Sequence, residues 1–298
     1  MRKIIFILVC VFVVFPLAAQ TADFYSMRGN ILLEQGNYDM AIEDFTRAVM
    51  LEPKEPAKWN DRANAYFAKG DMDRAIEDFN RVLSMDASIV SAWYTRGSAY
   101  YSKGLVDRAI DDMTRVLSIT PNDAAVWNDR GNMYVEKGDY DRAISDFNKV
   151  VALDPKIESS WAARGYIYHT RGDYERAISD FTQAISINPK LDYIWSSRGD
   201  IYLAKGDYDK AISDYTQAIS LNPRLSATWS NRGSAYMTKG DIDQAINDYS
   251  RAIILDPNET TNYSNRGSAY MTKGDMDKAL LDMNKAIELN EKSVGINR

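Results

Sequence analysis

Cysteine and histidine are almost absent from this sequence of 298 residues, which contains one of each, Cys10 and His169. A zinc-type metal site needs several cysteine or histidine ligands, and a cysteine nucleophile needs a histidine base beside it. One residue of each type cannot supply a metal site or a disulfide, and Cys10 lies in a segment that we expect to be removed. The sequence therefore predicts a protein that is not an enzyme and that binds no metal and no cofactor.

Positive charge is also in deficit, because the 36 Lys and Arg residues are outnumbered by 42 Asp and Glu residues. The formal net charge is −6 at pH 7. An acidic surface repels the phosphates of nucleic acids and of anionic lipids. We therefore expect a protein or peptide partner, and neither nucleic acid nor a membrane surface.

Long hydrophobic runs are missing except at the start of the chain. Arg2 and Lys3 precede an apolar segment over residues 4–17, and the small residues Ala18 and Ala19 follow it. This order is typical of a cleaved secretory signal peptide. We expect residues 1–20 to be this signal, which predicts an exported protein that is periplasmic or secreted and keeps no membrane span.

Two other interpretations of this segment stay open. A permanent membrane anchor needs about 20 apolar residues, more than residues 4–17 supply. A lipid anchor on Cys10 is the second alternative, and it would attach the protein to a membrane through acyl chains.

The rest of the chain is a repeat of 34 residues. An arginine followed by glycine or alanine recurs at this interval eight times without a shift. No linker or second domain fits between the units, so we expect residues 21–298 to form a single repeat domain. Counting positions 1 to 34 within each unit, the repeats are 22–55, 56–89, 90–123, 124–157, 158–191, 192–225, 226–259 and 260–293.

The apolar spacing within a unit is helical. In the fourth repeat, Trp127, Gly131 and Tyr134 lie at i, i+4 and i+7, which places them on one face of a helix. Ala143 and Phe147 share a face of a second helix in the same way. A Lys-Gly-Asp sequence separates the two; glycine commonly ends a helix and aspartate commonly begins one. Each unit is therefore predicted to be a helix–turn–helix hairpin.

These units resemble the tetratricopeptide repeat (TPR), in an Arg-Gly variant. The shared pattern is an aromatic at position 4, a small residue at 8, Tyr at 11, Ala at 20, an aromatic at 24 and Pro at 32. The resemblance covers the whole chain after the signal. It implies an all-α fold, a right-handed superhelical solenoid of eight hairpins whose first helices line an inner groove. Tryptophan occupies position 4 at Trp59, Trp93, Trp127, Trp161, Trp195 and Trp229.

One departure from the family pattern concerns two charged positions. Position 7, usually leucine in the family, is arginine in all eight repeats, and position 23 is aspartate in all eight. Because position 7 lies beside the core-facing stripe, its guanidinium needs an anion, and a carboxylate suits its fork of N–H groups. Pairing within a repeat and pairing between neighbours both stay open, as does an arginine ladder for an anionic ligand. The predicted structural ion pairs involve Arg62, Asp78, Arg96, Asp112, Arg130, Asp146, Arg164, Asp180, Arg198, Asp214, Arg232 and Asp248.

In the family, positions 2, 5, 9 and 12 of the first helix face the groove, and here these positions vary most. Asparagine amides can donate to and accept from a peptide main chain, and tyrosine offers a large contact area with a polar tip. The resemblance thus implies a scaffold that binds a peptide or protein in the groove. The alternative is a structural component of an envelope or secretion assembly that associates through its ends or convex face. The groove candidates are Asn60, Asn64, Phe67, Tyr94, Tyr101, Asn128, Asn132, Tyr166, His169 and Tyr193.

Two known modes of binding fit poorly. Some family members hold a carboxylate with Lys or Arg at positions 2, 5 and 6, whereas this chain has Asp61 and Asp129 at position 6. The Asp-x-Asp sequences of the turns lack the further ligands of a calcium loop. The last repeat carries Leu281 and Met283 on its second helix, which leads us to expect either self-association or docking to a partner through that repeat.

Overall fold

The computed structural model describes residues 21–293, within which there are sixteen α-helices and no strand. The predicted signal segment lies outside the described residues. No helix of the described part is both long and apolar enough to cross a membrane. The helices are α1 Ala22–Glu34, α2 Tyr38–Leu51, α3 Pro56–Lys69, α4 Met72–Met85, α5 Val90–Ser102, α6 Val106–Ile119, α7 Ala124–Glu136, α8 Tyr140–Leu153, α9 Glu158–Thr170, α10 Tyr174–Ile187, α11 Asp192–Ala204, α12 Tyr208–Leu221, α13 Ser226–Lys239, α14 Ile242–Leu255, α15 Thr260–Lys273 and α16 Met276–Ser293.

Each hairpin turns at a glycine in the left-handed conformation, with φ between 72° and 90° at all eight turns. In the fourth repeat, Gly138 N donates to Val135 O at 2.9 Å, and Asp139 N donates to Tyr134 O at 2.9 Å. The Asp139 carboxylate then accepts from Arg142 N at 3.2 Å, at the start of the next helix. Odd-numbered helices are therefore the first helix of a repeat, and even-numbered helices are the second.

The two helices of a hairpin approach closely because small residues face a ring. A Cβ added to Gly165 would lie 2.8 Å from the ring of Phe181, so a larger residue here would displace the ring. Ala177, at position 20 of the same repeat, and Phe181 are both fully buried. The close approach lets the ring fill the space between the helices, which is the packing that stabilises the hairpin.

The chain divides into two compact units, with the boundary between Lys149 and Val150 inside α8. In both units the tryptophan at position 4 is half-buried and anchors the loop before its helix. Trp59 Nε1 donates to Pro53 O at 2.9 Å in the first unit. Trp195 Nε1 donates to Pro189 O at 3.0 Å in the second. The indole rings are therefore half-buried, while the indole N–H donates a hydrogen bond to a carbonyl of the preceding loop.

The arginine at position 7 makes three kinds of contact, as Arg96 shows in the first unit. Its Nε and Nη2 donate to the two carboxylate oxygens of Asp112 at 2.8 and 2.7 Å. Its Nη1 donates to Asn80 Oδ1 of the preceding repeat at 2.7 Å. Its guanidinium lies 4.7 Å from the centre of the Trp93 ring. One side chain thus connects both helices of its own repeat to the repeat before it.

The second unit repeats this geometry. Arg232 donates to both oxygens of Asp248 at 2.7 and 2.9 Å, to Thr216 Oγ1 at 3.0 Å, and stacks 4.8 Å from the Trp229 ring. Each arginine pairs with the aspartate sixteen residues later, inside its own repeat, a choice that the sequence left open. The pairs are Arg28–Asp44, Arg62–Asp78, Arg96–Asp112, Arg130–Asp146, Arg164–Asp180, Arg198–Asp214, Arg232–Asp248 and Arg266–Asp282.

The Arg232 pair gives a prediction about stability. Arg232→Ala leaves the Asp248 carboxylate, which is 3% exposed, buried without its cation, and we expect the free energy of unfolding to fall by about 3–5 kcal/mol. Replacing both charges, with Arg232→Met and Asp248→Leu together, should cost little. Thr216→Val removes the contact between repeats together with the hydrogen bond that Thr216 Oγ1 donates to Ile212 O at 2.7 Å, and it should cost about 1 kcal/mol. Urea denaturation measures all three; equal losses for the single and double variants would contradict the structural role of the pair.

Candidate binding surface on the first helices

The side chains at positions 2, 5, 9 and 12 of the first helices form what we call the first-helix surface. Large aromatic groups are exposed on it: Tyr94 is 38% exposed and Tyr101 40% exposed on α5, and Tyr193 is 46% exposed on α11. Among the other candidates, Asn132 on α7 is exposed, and the rest are half-buried. Aromatic side chains that supply packing elsewhere, such as Phe79, are buried. Exposed tyrosines therefore distinguish this surface from the core.

In the first unit, Tyr94 connects the third and fourth repeats. Its hydroxyl donates to Asp129 Oδ2 at 2.8 Å. Partial burial, together with the hydrogen bond to the Asp129 anion, raises the pKa of Tyr94 to about 12. Burial also raises the pKa of Asp129, against the lowering effect of the bond from Tyr94. The pair places a half-buried carboxylate, at position 6, beside the first-helix surface.

A pocket of about 310 Å³ opens beside this carboxylate. It brings together two of the predicted residues, Tyr101 and Asn132, with Asp129 and with the buried side chain of Met113. The lining residues are Ser98, Tyr101, Ser102, Met113, Asp129, Asn132 and Met133.

The pocket coincides with a change at packing position 24. In the sixth repeat, within the second unit, this position holds Tyr215, whose hydroxyl donates to Asp200 Oδ1 at position 9 over 2.7 Å. A ring at position 24 therefore extends across the hairpin to the first-helix surface. The third repeat has Met113 instead, and its position 9, Ser98, lines the pocket. We attribute the open space to the missing outer part of a ring.

In the second unit, Tyr166 and Tyr193 form an aromatic cluster. Their rings stack with 6.4 Å between centres and 8° between planes. The Tyr166 ring also meets Phe181 edge-on at 5.0 Å. The Tyr166 and Ser197 hydroxyls share a hydrogen bond of 2.9 Å, and burial raises the pKa of Tyr166. Tyr166 is therefore held in place, whereas Tyr193 presents an open ring edge.

The remaining candidates are arranged less favourably for binding. Phe67 packs against the buried cluster around Phe79, so it contributes to the core. The Oδ1 atom of Asn60 is buried and has no hydrogen-bond partner among the described residues. His169 has its ring 6.0 Å from that of Tyr174, on a second helix. These residues do not join the pocket or the stacked pair.

Ser98, Met113 and Met133 are not among the residues that the sequence predicts for binding, and neither is the Asp200 network of the second unit. In that network Asp200 Oδ1 accepts from Tyr215 and, at 2.9 Å, from Asn231 Nδ2. A signal for the pocket was present, because position 24 is aromatic in six repeats and methionine in two. Over residues 21–293, no group of three or more His, Cys, Asp or Glu residues is placed to hold a metal ion.

Family models for the repeat match most of the chain. A model described as "TPR repeat" matches residues 165–206, 199–240 and 233–274. Models described as "Tetratricopeptide repeat" match residues 26–88, 60–124, 124–157 and 260–293. The chain belongs to the tetratricopeptide repeat family. A protein with this repeat is typically a non-enzymatic interaction scaffold, and none of the matching models describes an enzyme.

Solved TPR structures share the fold of this TPR protein. A crystal structure of MamA is 27% identical, covers 55% of this chain and 96% of its own, and has a TM-score of 0.54. YrrB, described as "a TPR protein with an unusual peptide-binding site", is 20% identical, with 59% and 91% coverage and a TM-score of 0.56. The C-terminal part of a TPR repeat-containing protein from Cytophaga hutchinsonii is 18% identical, with 80% and 98% coverage and a TM-score of 0.70. A comparison with curated proteins gives no significant match.

The titration of Tyr94 tests the bridge to Asp129. We expect its hydroxyl to keep its proton to about pH 12, and Asp129→Asn to lower this pKa because the neighbouring anion is removed. The unfolded hydroxyl ionises near pH 10. The contribution of Tyr94 to the free energy of unfolding is therefore constant below pH 10 and is lost as the pH rises from 10 to 12. A ¹³Cζ NMR titration of labelled tyrosine, assigned with Tyr94→Phe, measures the pKa; an unchanged value in Asp129→Asn would contradict the bridge.

Proposed function

We propose that this TPR protein is an exported scaffold that captures a peptide segment or a partner protein on its first-helix surface. The observation that carries the proposal is the exposure of Tyr94, Tyr101 and Tyr193 on first helices. Tyrosine is enriched in the parts of protein interfaces that contribute most of the binding energy. Because these aromatic groups are exposed on a surface that is otherwise polar, they support the interpretation that this surface binds a partner over the interpretation that it only contacts solvent.

The chemistry of the first-helix surface favours a peptide. Asn132 is exposed beside the pocket, and its amide can both donate to and accept from an extended main chain. Tyr101 offers a ring for side-chain packing and a hydroxyl near Glu136, whose carboxylate raises the pKa of Tyr101. Main-chain contacts together with side-chain pockets are how extended peptides are recognised.

The export of the protein rests on the sequence. The basic and then apolar order of residues 1–20 supports a cleaved signal, and its removal would leave 34 Lys and Arg residues against 42 Asp and Glu residues, a net charge of −8. This acidic balance supports a protein or peptide partner over nucleic acid. We therefore place the binding function in a periplasmic or extracellular compartment.

Capture of partners from the envelope fraction tests the binding surface. We expect Tyr94→Ala with Tyr101→Ala, and separately Tyr193→Ala, to reduce capture of the main partner by about tenfold or more, as loss of a central tyrosine does in other interfaces. Tyr38→Ala is the matched control, since Tyr38 is 37% exposed on a second helix. Quantitative mass spectrometry compares the variants. Equal capture by all of them would refute the role of the first-helix surface.

A second candidate function is assembly through the last repeat. Its second helix exposes Leu280 at 62%, Leu281 at 69% and Ile287 at 55%, and apolar groups clustered on a surface mark association sites. Leu281 stands at position 22, which is polar in the other repeats, as at Glu43. Ile287 stands at position 28, which is mostly buried in the other repeats, as at Val49. These differences favour a copy or a structural partner bound at this end.

Light scattering tests the assembly. We expect an oligomer at micromolar concentration, and we expect Leu281→Ser with Ile287→Ser to convert it to a monomer because the apolar contact area is lost. The control is Ile254→Ser, at an apolar residue that is 68% exposed on α14. A wild-type protein that is monomeric would exclude self-association and leave the peptide-binding proposal untouched.

A further inference from the structure

The pocket beside Met113 contains one charged group that faces no cation. The Asp129 carboxylate accepts a hydrogen bond from Tyr94. The interactions that act on it are burial, this bond and repulsion from Asp123, and no Lys, Arg or His is among them within the described residues. A fully buried carboxylate is normally paired, and Asp129 is half-buried with one hydrogen bond from Tyr94. The Arg–Asp pairs of the core, such as Arg130–Asp146 with 2.8 Å bonds, show how the same chain satisfies such a group elsewhere.

The remaining lining of the pocket is suited to an aliphatic chain. Met113 and Met133 are both almost fully buried and contribute thioether side chains. The ring of Tyr101 stands at the pocket with 40% of its surface exposed. Methionine adapts its shape to an apolar guest, and an aromatic face attracts a cation. Methionine and tyrosine side chains beside a carboxylate therefore match a guest with a carbon stem and a positive end, and Ser98, Ser102 and Asn132 add polar groups to the same lining.

The volume of the pocket is sufficient for one long side chain. At about 310 Å³, it lies at the lower end of the range of about 300–1,000 Å³ that is usual for small-molecule sites. Lysine and arginine have a long apolar stem and a charged head. A carboxylate guest would be repelled by Asp129, and a purely apolar guest would leave that anion desolvated without compensation.

We propose that this pocket receives one lysine or arginine side chain of the bound peptide, with its stem against Met113 and Met133 and its cationic head against Asp129. The inference rests on the proposed function, because it assigns the chemistry of the partner at that surface. It also explains why methionine at position 24 is useful here, since a ring would fill the space that the stem occupies.

The pocket can be tested without the natural partner, using small probes that mimic side chains. The probes are n-butylguanidinium for arginine, n-butylammonium for lysine, n-butanol as the neutral match and butyrate as the anionic match. In protein labelled with ¹³C at the methionine methyl groups, we expect either cation to shift the Met133 signal saturably. Butanol and butyrate should not do so. The ratio of the two cation affinities distinguishes an arginine pocket from a lysine pocket.

Two variants locate the binding. Asp129→Asn should weaken cation binding by about tenfold or more, because a hydrogen bond to a charged group is lost. Met113→Phe should weaken it, because a ring at position 24 would extend toward the space beside Ser98. The matched control is Met283→Phe, which makes the same change at position 24 of the last repeat and should leave binding unchanged. Thermal unfolding checks that each variant remains folded.

The outcomes separate this inference from the proposed function. If butanol binds as tightly as the cations, or if Met113→Phe binds them as the wild type does, the inference is wrong. Capture that depends on Tyr193 but is unchanged in Met113→Phe would also refute the inference and leave the proposed function standing. A third outcome is that the cations bind saturably and Asp129→Asn weakens this binding, while the tyrosine variants capture partners as the wild type does. That outcome would support the pocket and refute the proposed function.

Discussion

The bidentate pair between positions 7 and 23 is the interaction on which the rest of the structure depends. A guanidinium beside the core must be neutralised, and the aspartate of the second helix is the group within reach. Two N–H groups of Arg96 donate to Asp112, and a third donates to Asn80 of the preceding repeat. The guanidinium plane of Arg96 stacks on the Trp93 ring. Few geometries satisfy all of these contacts at once. The pair therefore specifies how a hairpin closes and how it meets its neighbour, even though a buried ion pair adds little stability over an apolar one.

Fixing the packing in this way frees the first-helix surface to vary. The turn glycines determine where the first helices end, and small residues against a ring determine the packing inside a hairpin. The arginine at position 7 determines how one repeat contacts the repeat before it. The turn glycines and the arginine junction do not use the side chains at positions 5 and 9. Tyr94, Asn128 and Tyr166 can therefore differ from their equivalents in other repeats while the hairpin is kept, which is how a repeat scaffold acquires a specific binding surface.

Core and surface are nevertheless coupled at position 24. Where the residue is tyrosine, as in Tyr215, its hydroxyl reaches the surface and binds Asp200. Where it is Met113, the surface opens into a pocket beside Asp129. A single substitution in a packing position can thus create or remove a binding pocket without changing any exposed residue. This coupling follows from the thinness of a hairpin, in which one ring spans the distance from the second helix to the opposite face.

The sequence by itself determined the period, the hairpin, the family and the two charged columns, because each is a local or repeated pattern that spacing reveals. It also identified the tyrosines of the first helices through their position in the unit. Only the tertiary structure decided which aspartate each arginine binds, since the columns recur identically in every repeat and a spacing cannot choose between neighbours. It likewise decided that Phe67 packs in the core, that Tyr166 stacks on Tyr193, and that Asp129 borders a pocket. These outcomes depend on distances between helices that only packing establishes.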